Sequence, residues 1–237
     1  MSVDATALCF GAHPDDIVIG CGATIASLTK KGSVSAVTFT AGIGGSPSVD
    51  DTSSIIDVRQ KETERADKVL GIERRFLLDA SLPQLRSDDV LLRQAIAYIR
   101  ELRPALVFCH APRDWHRKHS AVSRLVEQAC WQAGNNVYPE DGEPWRVQEV
   151  LWYEVLNLFP RPTIVVDVTE AFERKLEALR CFDSQLEVLP GLVEYAESLG
   201  RSRGFLANSD FAEAFRTSRS YTRIASDPSE LVRGDIQ

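Results

Sequence analysis

Ala12-His13-Pro14-Asp15-Asp16 brings an imidazole and two carboxylates together directly after the apolar run Ala7-Leu8-Cys9-Phe10. Carboxylates so near the end of a buried strand need something to offset their desolvation. A metal ion does so, with His13 and Asp16 as ligands and Asp15 left over as a base. The chain has 4 histidines, and two of the others sit in Asp114-Trp115-His116-Arg117-Lys118-His119, again just after an apolar run, Ala105-Leu106-Val107-Phe108-Cys109. Either cluster alone reads better as structure, His13-Pro14-Asp15-Asp16 being explained by a turn with an Asp capping the helix that follows. Two such clusters at two strand exits point to one site at one sheet edge. Catalytic zinc takes three protein ligands and keeps a position for water, a set that His13, Asp16 and one of His116 or His119 would fill. The ion would bring the pKa of that water to ~7. Asp15 would accept and later return a proton, while the remaining histidine would stabilise the oxyanion of a tetrahedral intermediate. Asp114 is available to orient an imidazole. The chemistry described is hydrolysis of an amide or ester, and iron or cobalt would satisfy the same donors. His110, at the end of its own strand, reads as a structural or supporting residue.

The elements that must position these groups alternate. Ala7–Phe10, Val34–Thr40, Phe76–Leu78 and Leu106–Cys109 have strand character, and helix-like patterns cover Ile17–Lys31, Asp57–Leu70, Val90–Leu102 and Ser120–Ala133. Two more strands are expected at Val150–Leu156 and Thr163–Val168, and a last helix at Glu170–Leu179. The tail from Pro190 is mixed, with Tyr195–Arg203 reading as loop or broken helix. Such alternation predicts a Rossmann-like three-layer α/β/α fold with a mostly parallel sheet in a single domain. In these sheets ligands bind at the carboxyl ends of strands, where both polar clusters lie. The Gly-rich residues 42–54 and the polar segment 135–146 are expected to shape the pocket. Gly42-Ile43-Gly44-Gly45 does not match a dinucleotide fingerprint, and tight helix packing accounts for Gly20-Cys21-Gly22 as well as phosphate binding does.

Composition narrows the classes. The 237 residues are 44% hydrophobic with a net charge of −7, enough for one substantial core and without a basic stripe for nucleic acid. No apolar run approaches the ~18 residues of a membrane span, and no export signal is visible. The 5 cysteines are scattered without a CxxC pair, which fits a reduced, cytoplasmic protein. Assembly into a homo-oligomer is left open.

The motifs resemble the zinc-dependent N-deacetylases of the PIG-L/LmbE-like group. The group's His-Pro-Asp-Asp and Gly-rich helix start are matched by His13-Pro14-Asp15-Asp16 through Gly20-Cys21-Gly22-Ala23-Thr24, and its Asp-x-His-Pro-Asp-His by Asp114 to His119. Weaker echoes are Arg59-Gln60-Lys61-Glu62, Ser184-Gln185 and Ala212-Glu213-Ala214-Phe215. The resemblance implies one such domain over residues 1–237, acting on a small acetamido-sugar conjugate. By it, His13, Asp16 and His119 bind zinc, Asp15 is the general base, His116 steadies the oxyanion and Arg59 binds substrate. The layout is most similar to small bacterial deacetylases of the bacillithiol type. Trp115 is a candidate for stacking on a sugar face, with ordinary packing the competing role. The departure is Arg117-Lys118 where the group has Pro-Asp. It removes a partner for an imidazole and adds two cations, which would lower the pKa of His116, or it gives an anionic substrate Lys118 to bind. The rival readings are a family member with altered chemistry that binds a sugar or metabolite, one that hydrolyses a different amide or ester, and a ferrous oxygenase. The α/β pattern disfavours the last.

Overall fold

The computed structural model describes residues 6–42, 52–87 and 89–218. At its centre is β1 (Ala7–Gly11), buried along its whole length because parallel partners flank it on both sides, β2 (Val34–Thr38) and β4 (Leu106–His110). With β3 (Arg74–Leu77), β5 (Glu149–Tyr153), β6 (Ile164–Asp167) and β7 (Ala212–Thr217) they form one sheet of order β3-β2-β1-β4-β5-β7-β6. All pairings are parallel except those of β7, which runs antiparallel to β5 and β6. Successive side chains of β1 face opposite sides. Ala7 and Cys9 enter a core with α1 (Asp16–Leu28), α6 (Phe172–Leu179) and α8 (Leu192–Ala207). Leu8 and Phe10 enter one with α4 (Asp89–Leu102) and α5 (Arg117–Ala133). The expected three-layer, mostly parallel architecture is therefore the observed one.

Between β1 and β4 the strand order reverses. From β1 the chain moves outward through β2 to β3, and from β4 it moves the other way to β5. The loops leaving β1 and β4 thus diverge and open a crevice between them.

Several expectations need correction. α1 stops at Leu28 rather than Lys31, and it is broken at Cys21 (φ −146°, ψ 20°). The break frees the backbone N–H groups of Ala23 and Thr24, which donate to the two carboxylate oxygens of buried Glu213 at 3.1 and 2.8 Å, and Lys175 Nζ pairs with the same carboxylate at 2.7 Å. Gly20 lets α1 press against β5: a Cβ there would lie 2.2 Å from Tyr153 Cδ2 and 2.9 Å from the Glu154 carbonyl oxygen. Tight packing, not a phosphate loop, accounts for this glycine. The tail is more regular than its pattern implies. After α7 (Asp183–Val188), an unbroken α8 runs through Tyr195–Arg203, where loop or broken helix was expected, and β7 inserts between β5 and β6. Gly200 in α8 weakens the helical signal but admits the Phe172 ring, which a Cβ there would meet at 2.3 Å.

Residues 135–146 do not line the candidate cleft. α5 has 17 residues, about 25 Å of helix, and carries the chain away from the crevice. There the buried Arg100 guanidinium donates to carbonyls of Asn135, Val137, Tyr138 and Gly142 at 2.7–3.0 Å. Of the glycine-rich loop, residues 43–51 lie outside the described residues, and α2 already begins at Thr52 (Thr52–Leu70). Among the described residues no helix is long and apolar enough to cross a membrane.

Candidate metal centre

β1 ends at Gly11, and the chain turns through His13 and Pro14 into α1. Asp16 closes that turn: its Oδ2 accepts the His13 backbone N–H at 2.7 Å and lies 3.1 Å from His13 Nδ1. Asp15 occupies the N-cap position but makes no side-chain capping bond. The ordinary use of an aspartate there is thus not made, and Asp15 lines the crevice instead.

β4 delivers the other half. Its last residue, His110, is buried, with Nε2 3.0 Å from Asp16 Oδ2 and 3.0 Å from the Ala12 backbone nitrogen. Asp114 then shapes the start of α5: Oδ1 accepts the His116 backbone N–H at 2.8 Å, and Oδ2 lies 3.1 Å from His119 Nδ1. Held this way, His119 brings Nε2 to 3.3 Å from His13 Nδ1 and 3.3 Å from Asp16 Oδ1. Donors bound tetrahedrally at 2.0–2.1 Å from one ion stand about 3.3–3.4 Å apart. His13 Nδ1 and His119 Nε2, 3.3 Å apart, fit that requirement, and Asp16 faces them with its two oxygens, Oδ2 3.1 Å from His13 Nδ1 and Oδ1 3.3 Å from His119 Nε2. Two overlapping sets of donor atoms, His13/His116/His119 and Asp16/His110/His119, also lie within 4.8 Å of one another, so the cluster could hold a cation.

The electrostatics separate the two aspartates. Burial pushes Asp16 up, but His119, His110 and His13 together hold it well below the usual carboxylate range. Asp15 is raised by burial and by the neighbouring Asp16 charge. Burial lowers His119, yet Asp16 and Asp114 overcome this and lift it to about 10. Burial takes His110 down to about 4. His116 also falls to about 4, first through burial and then through His119 and His13. The expected direction for His116 holds, but its main causes are these groups rather than Arg117 and Lys118. The buried Nδ1 of His116 makes no hydrogen bond.

A cleft of about 360 Å³ opens over the cluster and brings together His13, Asp15, Asp16, His116, Lys118 and His119. Arg59 and Trp115 are not among its lining residues. Arg59 is buried against a second cavity of about 250 Å³, lined in part by Pro14, and its charge is still felt by Asp15. Trp115 is 69% exposed, too open for a packing role, with its ring 6.1 Å from that of His116. The residue underweighted in the sequence is His110. Its signal was a third histidine at the same strand exit.

A family model described as "PIG-L: GlcNAc-PI de-N-acetylase" matches residues 8–130. A 1D-myo-inositol 2-acetamido-2-deoxy-alpha-D-glucopyranoside deacetylase of Rhodococcus jostii is 29% identical, over 84% of this chain and 88% of that one. Among solved structures, a conserved protein from Thermus thermophilus superposes with a TM-score of 0.81 at 29% identity, over 93% of this chain and 98% of that one. A 4-carboxy-2-hydroxymuconate hydratase from Pseudomonas putida superposes at 0.78 with 20% identity, over 94% and 98%. That last likeness concerns the fold alone, and the fold by itself does not select the reaction.

Proposed function

The chain belongs to the PIG-L family of de-N-acetylases, and from that premise we propose that it is a zinc-dependent hydrolase that removes the N-acetyl group of an acetamido sugar or similar small conjugate. The observation that carries the reading is the convergence of His13, Asp16 and His119, which meet pairwise at 3.1–3.3 Å with Asp16 turning a different oxygen to each histidine, beside an aspartate that no capping bond occupies. These three residues would hold the ion, which when bound supplies a Lewis acid that brings the pKa of a water to ~7 and polarises the amide carbonyl.

The chain's own groups do the rest. Asp15, raised by burial and by Asp16, takes the proton of the attacking water and returns it to the departing nitrogen. His116 is neutral near pH 7, with a pKa of about 4, so it donates through a ring N–H to the carbonyl oxygen as that atom gains charge. Asp114 fixes both histidines of the second motif through the His116 backbone and His119 Nδ1. Lys118, which lines the cleft, meets an anionic group of the conjugate. Arg59 acts on Asp15 through its charge, and the exposed Trp115 offers an outer stacking face.

Acetate release from N-acetylglucosamine conjugates, measured with zinc and then with chelator, tests this reading. Chelator-sensitive release is expected. A protein holding one zinc that deacetylates no conjugate in the panel would overturn it and favour the binding-protein reading.

A further inference from the structure

The crevice has two unlike walls. Against the His/Asp cluster stand Ile19 of α1, Val155 and Leu156 after β5, Val188 and Leu189 at the end of α7, and Leu192 of α8. Lys118 and Gln185 are the polar side chains lining it outside the cluster among the described residues.

This aliphatic wall is built rather than incidental. Glu62 of α2 accepts both the backbone N–H and the hydroxyl of Ser184 at 2.7 Å, anchoring the first turn of α7. From α8, Tyr195 donates its hydroxyl to the Val155 carbonyl, and Arg203 binds the Glu154 carboxylate and the Phe159 carbonyl. Glu154 in turn accepts the Phe159 N–H. Two neighbouring helices, α2 and α8, thus hold an apolar surface in place. Leu156, Val188 and Leu189 nonetheless remain 40–45% exposed. A hydroxylated ring set against such a wall would lose water without gaining partners, whereas a hydrocarbon would gain by burial. Because wall and cluster line one cleft, a group attached to the reacting amide falls within reach of both.

We propose that the conjugate hydrolysed by this chain carries an alkyl or aryl group that packs on the Leu156/Val188/Leu189/Leu192 wall while its amide reaches the His/Asp cluster. This inference rests on the hydrolase reading and sharpens it to amphipathic acylamino conjugates, which remain acetamido sugars only if the hydrocarbon lies on the aglycone. The hydrocarbon belongs either to the aglycone or to the acyl chain, and the chemistry at the wall is the same.

Three substrates separate the outcomes: methyl N-acetylglucosaminide, its hexyl counterpart, and methyl N-hexanoylglucosaminide. With the zinc-loaded full chain, kcat/KM for one of the two hexyl-bearing compounds is expected to exceed the methyl N-acetyl compound by roughly tenfold or more. The compound that gains identifies the side on which the hydrocarbon lies. The double variant L156N/L189N, at two part-exposed positions, should shrink that preference at least about fivefold. Equal kcat/KM for all three in the unaltered protein overturns the proposal without any variant. So does a preference that the double variant leaves intact, or a double variant that changes only the sedimentation of the protein, which would assign the wall to a second copy. If none of the three is turned over, the hydrolase reading fails separately. Calorimetric binding of the same compounds then decides the wall: tighter binding of a hexyl-bearing compound, lost in L156N/L189N, sustains it, and equal or absent binding overturns it.

Discussion

Asp15 and Asp16 are the same residue type one position apart, and their surroundings drive them in opposite directions. Asp16 faces three imidazoles and is held ionised, whereas Asp15 is raised by burial and by Asp16 itself. Paired carboxylates pushed apart in this way divide the work into charge holder and proton carrier. Replacing Asp15 by Asn is therefore expected to cut kcat by at least about 10²-fold while the protein still binds one zinc, as metal analysis would show; loss of zinc would make Asp15 a ligand instead. His119 makes a second prediction. Without metal its pKa stands at about 10, above the ~6.5 of an unfolded chain. Its contacts with Asp16 and Asp114 therefore stabilise the metal-free protein fully below pH ~6.5 and progressively less as pH rises towards 10. A cation must displace that proton, so zinc binding near pH 7.5 should release a proton to an indicator dye, and affinity should rise with pH. Zinc uptake with no proton released would remove His119 from the ligand set.

The elements that aim these side chains were only partly legible in the sequence, and the division is physical. His13-Pro14-Asp15-Asp16 and Asp114 to His119 are short-range signals: a strand exit, a turn and a helix start, each within a few residues. The alternation that gives the sheet is likewise local. What stayed hidden is contact across the chain. Glu62 and Ser184 are two weak echoes 122 residues apart that form one hydrogen-bonded joint. Glu213 lies 190 residues from the Ala23 N–H that it receives at the break in α1. α8 and β7 escaped because tertiary packing, at Gly200 against Phe172 and in the slot between β5 and β6, overrides a weak local pattern. Gly20 shows how such a joint governs the site. Gly20→Ala drives a methyl into Tyr153 and the Glu154 carbonyl, so about 2–3 kcal/mol of stability should be lost in denaturant unfolding. Because α1 begins with Asp16, zinc affinity should fall in the same variant. Unchanged stability would mean that α1 and β5 are less tightly opposed than these distances require.

At the scale of the whole molecule, the crevice is where two halves of the sheet part company. His13 and Asp16 come from the loop and helix after β1, His119 from the helix after β4, and the chain leaves those strands in opposite directions. A cation held by all three would tie together segments that the backbone itself does not join there. It would bind the native protein and not the unfolded chain, so it stabilises by mass action, by about 4 kcal/mol when free metal is a thousand times the dissociation constant. At roughly 2–4 °C per kcal/mol for a chain of this size, zinc should raise the melting temperature by about 10 °C, and chelator should reverse the rise. The variants sort the roles. Asp15→Asn should keep the full zinc-dependent shift although its turnover falls, since the proposed role of Asp15 is to carry protons rather than to hold the ion. His13→Ala and His119→Ala should each lose most of the shift, one from either side of the crevice. If His119→Ala retained it while His13→Ala did not, the ion would rest on the first loop alone, and the two halves would be joined by the Asp16–His119 contact at 3.3 Å rather than by metal.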